Sequence, residues 1–495
     1  MSYLAFKAHM QKIADVAYSI ALLSWDQETY MPEKGGSFRA QQIATLSGIH
    51  HKLFTDPILD DLLNQLANDT SIDVKQRKNI ELTKETFDKQ KKYSTEFVEL
   101  MSKTVSECFQ AWQTAKEKND FSIYQAPLEK LVELKKQECE LLGYKVHPYD
   151  AMLNEYERGT TTIEIETLFA DVRKQLVPFV KQIKEAKQVS DAFFFKNYDT
   201  DKQWNFGIDL LKQMGYDFEA GRQDKSSHPF TISFNPLDVR VTTRVRENDV
   251  SEMIWSCIHE GGHGLYEQGL PTDEYGLPLG EAVSLGIHES QSRLWENNVG
   301  RSLGYWKNNM KRLKEIFPEQ LKDVSAEDFY KAMNKVESSL IRTNSDELTY
   351  HFHIMIRFEI EKALFDGAIK VSDLPAYWNA KYKEYLDIDV PDNTKGVLQD
   401  IHWSHGSFGY FPTYSIGSFY AAQFFAQAQK EIPGLSTQIE SGDMKQLLAW
   451  LRKKVHVHGR LYSASELCEQ ICGEKLNFAH FMTYAKEKYK GIYNL

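Results

Sequence analysis

The chain has 495 residues, 42% of them hydrophobic, so it can bury a large core; with 14 prolines and no Pro- or Gly/Ser-rich linker it reads as one continuous domain. Its formal net charge of −11 excludes a global attraction to nucleic acid. No apolar run approaches the roughly 18 residues of a membrane span and no cleavable signal pattern opens the sequence, while an odd count of five cysteines fits reduced thiols, so a cytoplasmic protein is expected.

In chain order, periodicity of 3.6 predicts amphipathic helices over Ile58–Leu66, Asn79–Lys92, Ser94–Glu117 and Leu128–Leu142. The lysines from Lys89 to Lys92 are accompanied by acids and read as a solvated helix face. The texture then changes. Phe230–Phe234 and Val239–Thr243 alternate with period two around Asn235-Pro236-Leu237, which predicts a short hairpin. Next, Asp249 with Glu252 reads as a capping box, and Val250, Met253, Ile254, Cys257 and Ile258 follow as the apolar stripe of a helix for which Gly269 is a suitable end. A further helix is expected from Gly280 to Asn297. Near the C-terminus, Cys468 and Cys472 share a helical face at i, i+4, a spacing that can bind metal, but no second ligand pair accompanies them.

The helix predicted after Asp249 carries His259-Glu260-Gly261-Gly262-His263. Two imidazoles one turn apart, opposite the apolar stripe, can face a cleft together and hold a zinc ion, with the intervening carboxylate as general base. Such a match arises by accident in roughly 3% of chains of this composition, so context decides. Gly261, Gly262 and Gly264 each cost about 1 kcal/mol relative to Ala in a helix interior. That breach of local preference marks a place where something approaches the backbone closely. A catalytic zinc takes a third protein ligand. The metzincin pattern would need glycine and histidine where Tyr266 and Gly269 stand, so a downstream carboxylate remains. Glu267 would crowd the metal and Glu274 lies in a Pro/Gly-broken turn. Glu281 and Glu289 both fall on the next predicted helix, Glu296 lies near its end, and spacing alone does not choose.

His288-Glu289-Ser290-Gln291, with Glu289 26 residues after His263, resembles the third-ligand motif of the M32 metallocarboxypeptidases, the thermostable-carboxypeptidase type. Four further motifs of that family stand in order: His228-Pro229-Phe230 (HPF), Asp238 to Thr242 (DxRxT), Ile341 to Asp346 (IRxx(A/S)D) and Gly396 to Trp403 (GxxQDxHW). The resemblance runs from 228 to 403, and Trp25-Asp26 with Met31-Pro32 adds a weaker likeness near the start. It implies a mainly α fold: a large helical, two-lobed metallopeptidase with a deep groove and a small β-sheet beside the His-Glu-x-x-His helix. Residues 1–220 would form an N-terminal helical lobe and 221–495 the zinc-binding catalytic lobe.

The resemblance makes Glu289 the third ligand beside His259 and His263, with Glu260 as catalytic base and Zn2+ as cofactor, Co2+ and Mn2+ being possible substitutes. An exopeptidase also needs a group for the substrate's terminal carboxylate, and a guanidinium fork suits it. Arg342 is favoured and Arg240 is the second candidate, the bland alternative for each being a salt bridge to Asp346 or Asp238. Tyr414, His402 and His405 are candidate donors that equally fit packing or structural roles, Asp400 can orient a histidine, and His228 enters with the HPF motif. The HPF and DxRxT motifs are associated in the family with a limit on substrate length. The expected activity is zinc-dependent release of C-terminal residues from peptides with a free C-terminus. Broad specificity, poor release beside proline and a homodimer are implied by the resemblance alone. A zinc oligoendopeptidase and a catalytically silent helical binding protein are the alternatives, the intact Glu260 arguing against the second.

Overall fold

The computed structural model describes residues 2–495. The protein is mainly α-helical, with one three-stranded sheet among the described residues. It divides into two compact units, each discontinuous in sequence. The first comprises residues up to 88, 191–333 and 421–476; the second comprises 89–190, 334–420 and 477–495. Both units draw on both sides of residue 220.

In the first unit, helix Pro57–Leu66 shows how the local code works. Asp56 caps it by accepting from the Ile58 N–H, proline occupies its first turn, and Leu59, Leu62, Leu63 and Leu66 form one buried face. Each leucine contributes about 1.5–3 kcal/mol by leaving water. They pack with Phe6, Met10 and Ile13 of helix Tyr3–Thr29 and with Ile80 and Phe87 of helix Val74–Gln90.

The sheet of the first unit contains β1 (Gly221–Lys225), β2 (Thr231–Asn235) and β3 (Asp238–Thr243) in the order β1-β3-β2. The predicted hairpin is β2 and β3, antiparallel, with an irregularity between Ser233 and Asn235. β1, parallel to β3, was not visible in the sequence because Gly-Arg-Gln-Asp-Lys has neither β-branched residues nor apolar alternation. Thr242 of β3 is fully buried and ties the hairpin to the HPF segment: its hydroxyl accepts from the Phe230 N–H at 2.9 Å and the Ser226 hydroxyl at 2.7 Å.

In the second unit, helix Thr95–Lys118, capped by Ser94, matches the predicted Ser94–Glu117, whereas the following helix runs Ser122–Leu142, starting six residues before the predicted Leu128. Pro127 lies inside it. Tyr124 extends the buried face formed by Leu128, Leu131 and Val132, and this burial offsets the lost backbone hydrogen bond. Helix Tyr350–Asp366 is buried nearly all round and includes two fully buried charged residues, Arg357 and Glu361. Among the described residues, no helix is long and apolar enough to cross a membrane.

Candidate metal centre and associated residues

The helix bearing the two histidines spans Val250–Glu267. Asp249 caps it by accepting from the Ser251 and Glu252 N–H groups, but the capping box is not closed, because Glu252 instead pairs with Arg246 at 2.7 Å and Arg244 at 3.5 Å. The predicted stripe, Val250, Met253, Ile254, Cys257 and Ile258, is at most 1% exposed and anchors the helix. Gly269 does not adopt the left-handed conformation of a helix stop; it sits against the His456 ring, where a side chain would collide.

The next helix is Leu285–Arg293, not the predicted Gly280–Asn297. Ser284 sets its start by accepting from the Ile287 N–H, and a π-helical turn, Leu294–Gly300, continues it. It brings Glu289 Oε2 to 3.4 Å from His263 Nε2 and 3.7 Å from His259 Nε2. One ligand atom from each residue lies within 4.8 Å of the other two, the only such His/Cys/Asp/Glu group among the described residues. Tetrahedral ligands about 2.05 Å from zinc are about 3.3 Å apart, so the two distances to Glu289 suit such an ion. Cys468 and Cys472 belong to no such group.

Gly262 permits this approach. A Cβ there would lie 2.7 Å from Ser292 Cα and 2.8 Å from the Gln291 carbonyl oxygen, so the backbone of the second helix rests on the glycine. Gly261 faces Leu211 and Met214, and Gly264 faces Tyr216 and Val241. The three glycines therefore admit three different neighbours.

Groups around the donors hold them in place. His259 Nδ1 meets Glu296 Oε2 at 2.8 Å, and Glu296 is held by Arg293 at 3.1 Å and Arg301 at 3.0 Å. His263 Nδ1 lies 2.6 Å from His288 Nδ1, and His288 Nε2 lies 2.8 Å from Glu267 Oε1. Arg293 Nε donates to Glu289 Oε1 at 2.7 Å. Burial, reinforced by His288, lowers the His263 pKa to about 3 and keeps its ring neutral. Burial also disfavours charge on His259, but Glu289 and Glu296 outweigh it and move its pKa up. For Glu289, burial acts upward, yet Arg293 and His259 prevail and hold it well below the usual carboxylate range.

Glu260 is buried, and the Thr231 hydroxyl of β2 donates to its Oε2 at 2.7 Å. Burial raises its pKa. The remaining carboxylates weighed from sequence are engaged elsewhere: Glu267 with His288, Glu274 with Asn79 at 2.9 Å, Glu281 with Arg460 at 2.8 Å and Glu296 with His259.

Arg240 pairs with Asp238 at 2.9 Å and lies over the rings of Trp25 and Phe234. His228 is exposed, its carbonyl accepting from the Ser226 hydroxyl. The second unit brings together Arg342, Asp400, His402 and Tyr414. Arg342 is buried and pairs with Asp400 at 3.0 Å rather than with Asp346, whose carboxylate accepts from the Leu348 and Thr349 N–H groups in the turn before the following helix. Its guanidinium also donates to the Tyr350 hydroxyl at 3.2 Å and lies 4.9 Å from the centre of the Tyr414 ring. His402 Nε2 is 3.3 Å from the Tyr414 hydroxyl, and burial lowers the His402 pKa to about 3. His405 is exposed and packs on Phe109.

Arg357 was missed from sequence. It is wholly buried and shares Asp400 with Arg342, at 2.7 Å, while Gln399 Oε1 accepts from its Nη2 at 2.8 Å. A lone arginine in the apolar run Ile354-Met355-Ile356-Arg357-Phe358 was the available signal, since a charge there needs a buried partner.

The mainly helical fold, with a His-Glu-x-x-His helix and a carboxylate from the next helix facing one point, defines the class as a helical metallopeptidase. Residues 5–489 match the model of the carboxypeptidase Taq (M32) metallopeptidase family. The chain is 38% identical to carboxypeptidase 1 of Bacillus subtilis, over 98% of this chain and 97% of that one. It is also 38% identical to thermostable carboxypeptidase 1 of Thermus thermophilus, over 96% and 95%. The crystal structure of M32 carboxypeptidase from Deinococcus radiodurans superposes with a TM-score of 0.98 at 37% identity, covering 100% of this chain and 99% of that one. The chain belongs to the carboxypeptidase Taq (M32) family and is a metallocarboxypeptidase.

Proposed function

We propose that this metallocarboxypeptidase holds zinc through His259, His263 and Glu289 and releases C-terminal residues from peptides with broad side-chain tolerance. The observation that carries the reading is the convergence of these three donors within 4.8 Å, next to buried Glu260. A divalent ion in that set supplies Lewis acidity, polarising the scissile carbonyl and acidifying water; Co2+ and Mn2+ suit the same N/O donors. Glu260 takes a proton from the attacking water and returns it to the leaving amine. The Thr231 hydroxyl fixes the orientation of the Glu260 carboxylate, and burial raises its proton affinity, which suits a base acting near neutrality.

Arg342 is the group we assign to the substrate carboxylate, with Tyr414 and His402 as neighbouring donors. Its fixed guanidinium, held by Asp400, supports this. Among the described residues β2 has no strand partner on its outer edge, and a cavity of about 270 Å³ is lined by Thr231, Ile232, Ser233 and Asn235 of that strand. Since Thr231 also touches Glu260, an extended peptide pairing with β2 would present its backbone beside the base. Arg240 and His228 are assigned to limiting substrate length. A cytoplasmic homodimer completes the proposal: the dimer rests on the family resemblance, and the location on the five free cysteines.

The test is mass spectrometry of a free-acid peptide and its C-terminal amide after incubation with metal-loaded, chelated and Glu260→Gln enzyme. Stepwise loss from the free-acid end alone, absent in the last two samples, is the expected result. Internal cuts in both peptides would indicate an oligoendopeptidase, and bound metal without cleavage a binding protein.

A further inference from the structure

The two histidines of the Val250–Glu267 helix are backed in different ways. His259 Nδ1 meets a carboxylate directly, whereas His263 Nδ1 meets a second imidazole, His288, whose far nitrogen meets Glu267. We infer that Glu267 is a positioning residue that, through His288, fixes His263 in the tautomer able to bind a metal ion. The inference rests on the metal-site reading above.

The argument follows the protons. An ionised carboxylate only accepts hydrogen bonds, so the 2.8 Å contact places a hydrogen on His288 Nε2. With His288 neutral, its Nδ1 then carries a lone pair. Two lone pairs would repel across the 2.6 Å Nδ1–Nδ1 contact, so His263 Nδ1 carries the hydrogen. His263 Nε2 is left with a lone pair directed toward Glu289 Oε2, 3.4 Å away, two acceptors facing each other across a gap suited to a cation.

Sequence spacing builds the relay. Glu267 follows His263 by four residues, placing both ends of the relay on one helix face, and His288 adjoins Glu289 on the neighbouring helix. His259 needs no such device, because Glu296 accepts from its Nδ1 directly and is itself held by Arg293 and Arg301.

The test is zinc affinity, measured by competition with a chromogenic chelator, together with thermal melting of the metal-free proteins. His288→Leu should weaken zinc binding about 10–100-fold, the usual loss on removing a group that orients a ligand. His288→Asn, whose amide oxygen can accept near the position of Nδ1, should stay within about threefold of the parent. Glu267→Gln can still accept and should also stay within about threefold, whereas Glu267→Lys can only donate, inverts both rings and should lose as much as His288→Leu. Melting of the metal-free Glu267 variants should match the parent, as an effect on the ligand rather than on folding requires. Parental affinity in Glu267→Lys, or equal losses in His288→Leu and His288→Asn, overturns the relay. His263→Ala separates the two readings: weakened binding there beside parental affinity in His288→Leu overturns the relay alone, whereas parental affinity in His263→Ala overturns both.

Discussion

Gly262→Ala tests whether the spacing of two helices sets the metal centre. The added Cβ would meet Ser292 Cα at 2.7 Å and the Gln291 carbonyl oxygen at 2.8 Å, both backbone atoms that no rotamer change can move. Ordinary contact begins near 3.4 Å, so the helix carrying Glu289 must retreat by about 0.7 Å, the difference between 3.4 and 2.7. Metal sites keep their distances to about 0.2 Å, and Glu289 rides on the displaced segment. Alanine gains about 1 kcal/mol in helix propensity and overpacking costs about 1–3 kcal/mol, so folding stability should fall by no more than about 2 kcal/mol. Zinc affinity should fall about tenfold or more, equivalent to about 1.4 kcal/mol. The control is Gly261→Ala, whose Cβ would meet the Leu211 and Met214 side chains, which can turn aside. Calorimetry of the metal-free proteins and chelator competition measure the two quantities. Parental zinc affinity in Gly262→Ala, or equal losses in both variants, would refute the reasoning.

Other expectations follow from the same structure. Chelation should lower the melting temperature, because an ion bound only by the folded state at 100 times its Kd contributes about 2.7 kcal/mol; the shift should vanish in His263→Ala. Asp400→Asn leaves Arg342 and Arg357 without their shared carboxylate, and urea unfolding should show a loss of about 3–5 kcal/mol. Burial pushes the Glu361 carboxyl up from 4.5 to about 7, although Tyr149, Gly409 and Trp403 donate to it. As pH rises from 4.5 to 7 the unfolded chain loses this proton first, so this group's contribution to stability falls by up to about 3 kcal/mol and is constant above. The stability of the parent relative to Glu361→Gln, measured by urea unfolding across that range, should fall accordingly; parallel curves would show that Glu361 does not titrate there.

Much of the centre was legible in the sequence because its parts are local. A helix repeat places His259 above His263, the apolar stripe fixes which side faces inward, and the β2–β3 hairpin follows from alternation around Asn235-Pro236-Leu237. β1 was not legible, since its pairing with β3 comes from the tertiary environment. The predicted start at Gly280 was wrong because periodicity alone does not see Ser284, four residues after Gly280, capping the helix. Arg357 and Asp400 are 43 residues apart, and neither predicts the other without the fold.

The glycines link what the sequence could and could not say. Their cost in helix propensity marked a close approach but not the identity of the approaching group, because a missing side chain records space and not its occupant. The structure supplies Ser292 and Gln291 at Gly262. The same limit applied to the carboxylates. Glu267, Glu289 and Glu296 are alike in sequence, and what separates them is which imidazole nitrogen each faces: Glu289 faces both Nε2 atoms, Glu296 faces Nδ1 of His259, and Glu267 faces the His288 ring that meets Nδ1 of His263. One ring nitrogen of each candidate ligand histidine is thus directed toward Glu289 and the other toward a hydrogen-bond partner. It follows that substitutions at Glu296 and Glu267 should act on metal affinity through the orientation and tautomer of the rings, and so follow whether the replacement can accept a hydrogen bond, whereas at Glu289, the proposed ligand, affinity should follow the metal-binding chemistry of the replacement itself.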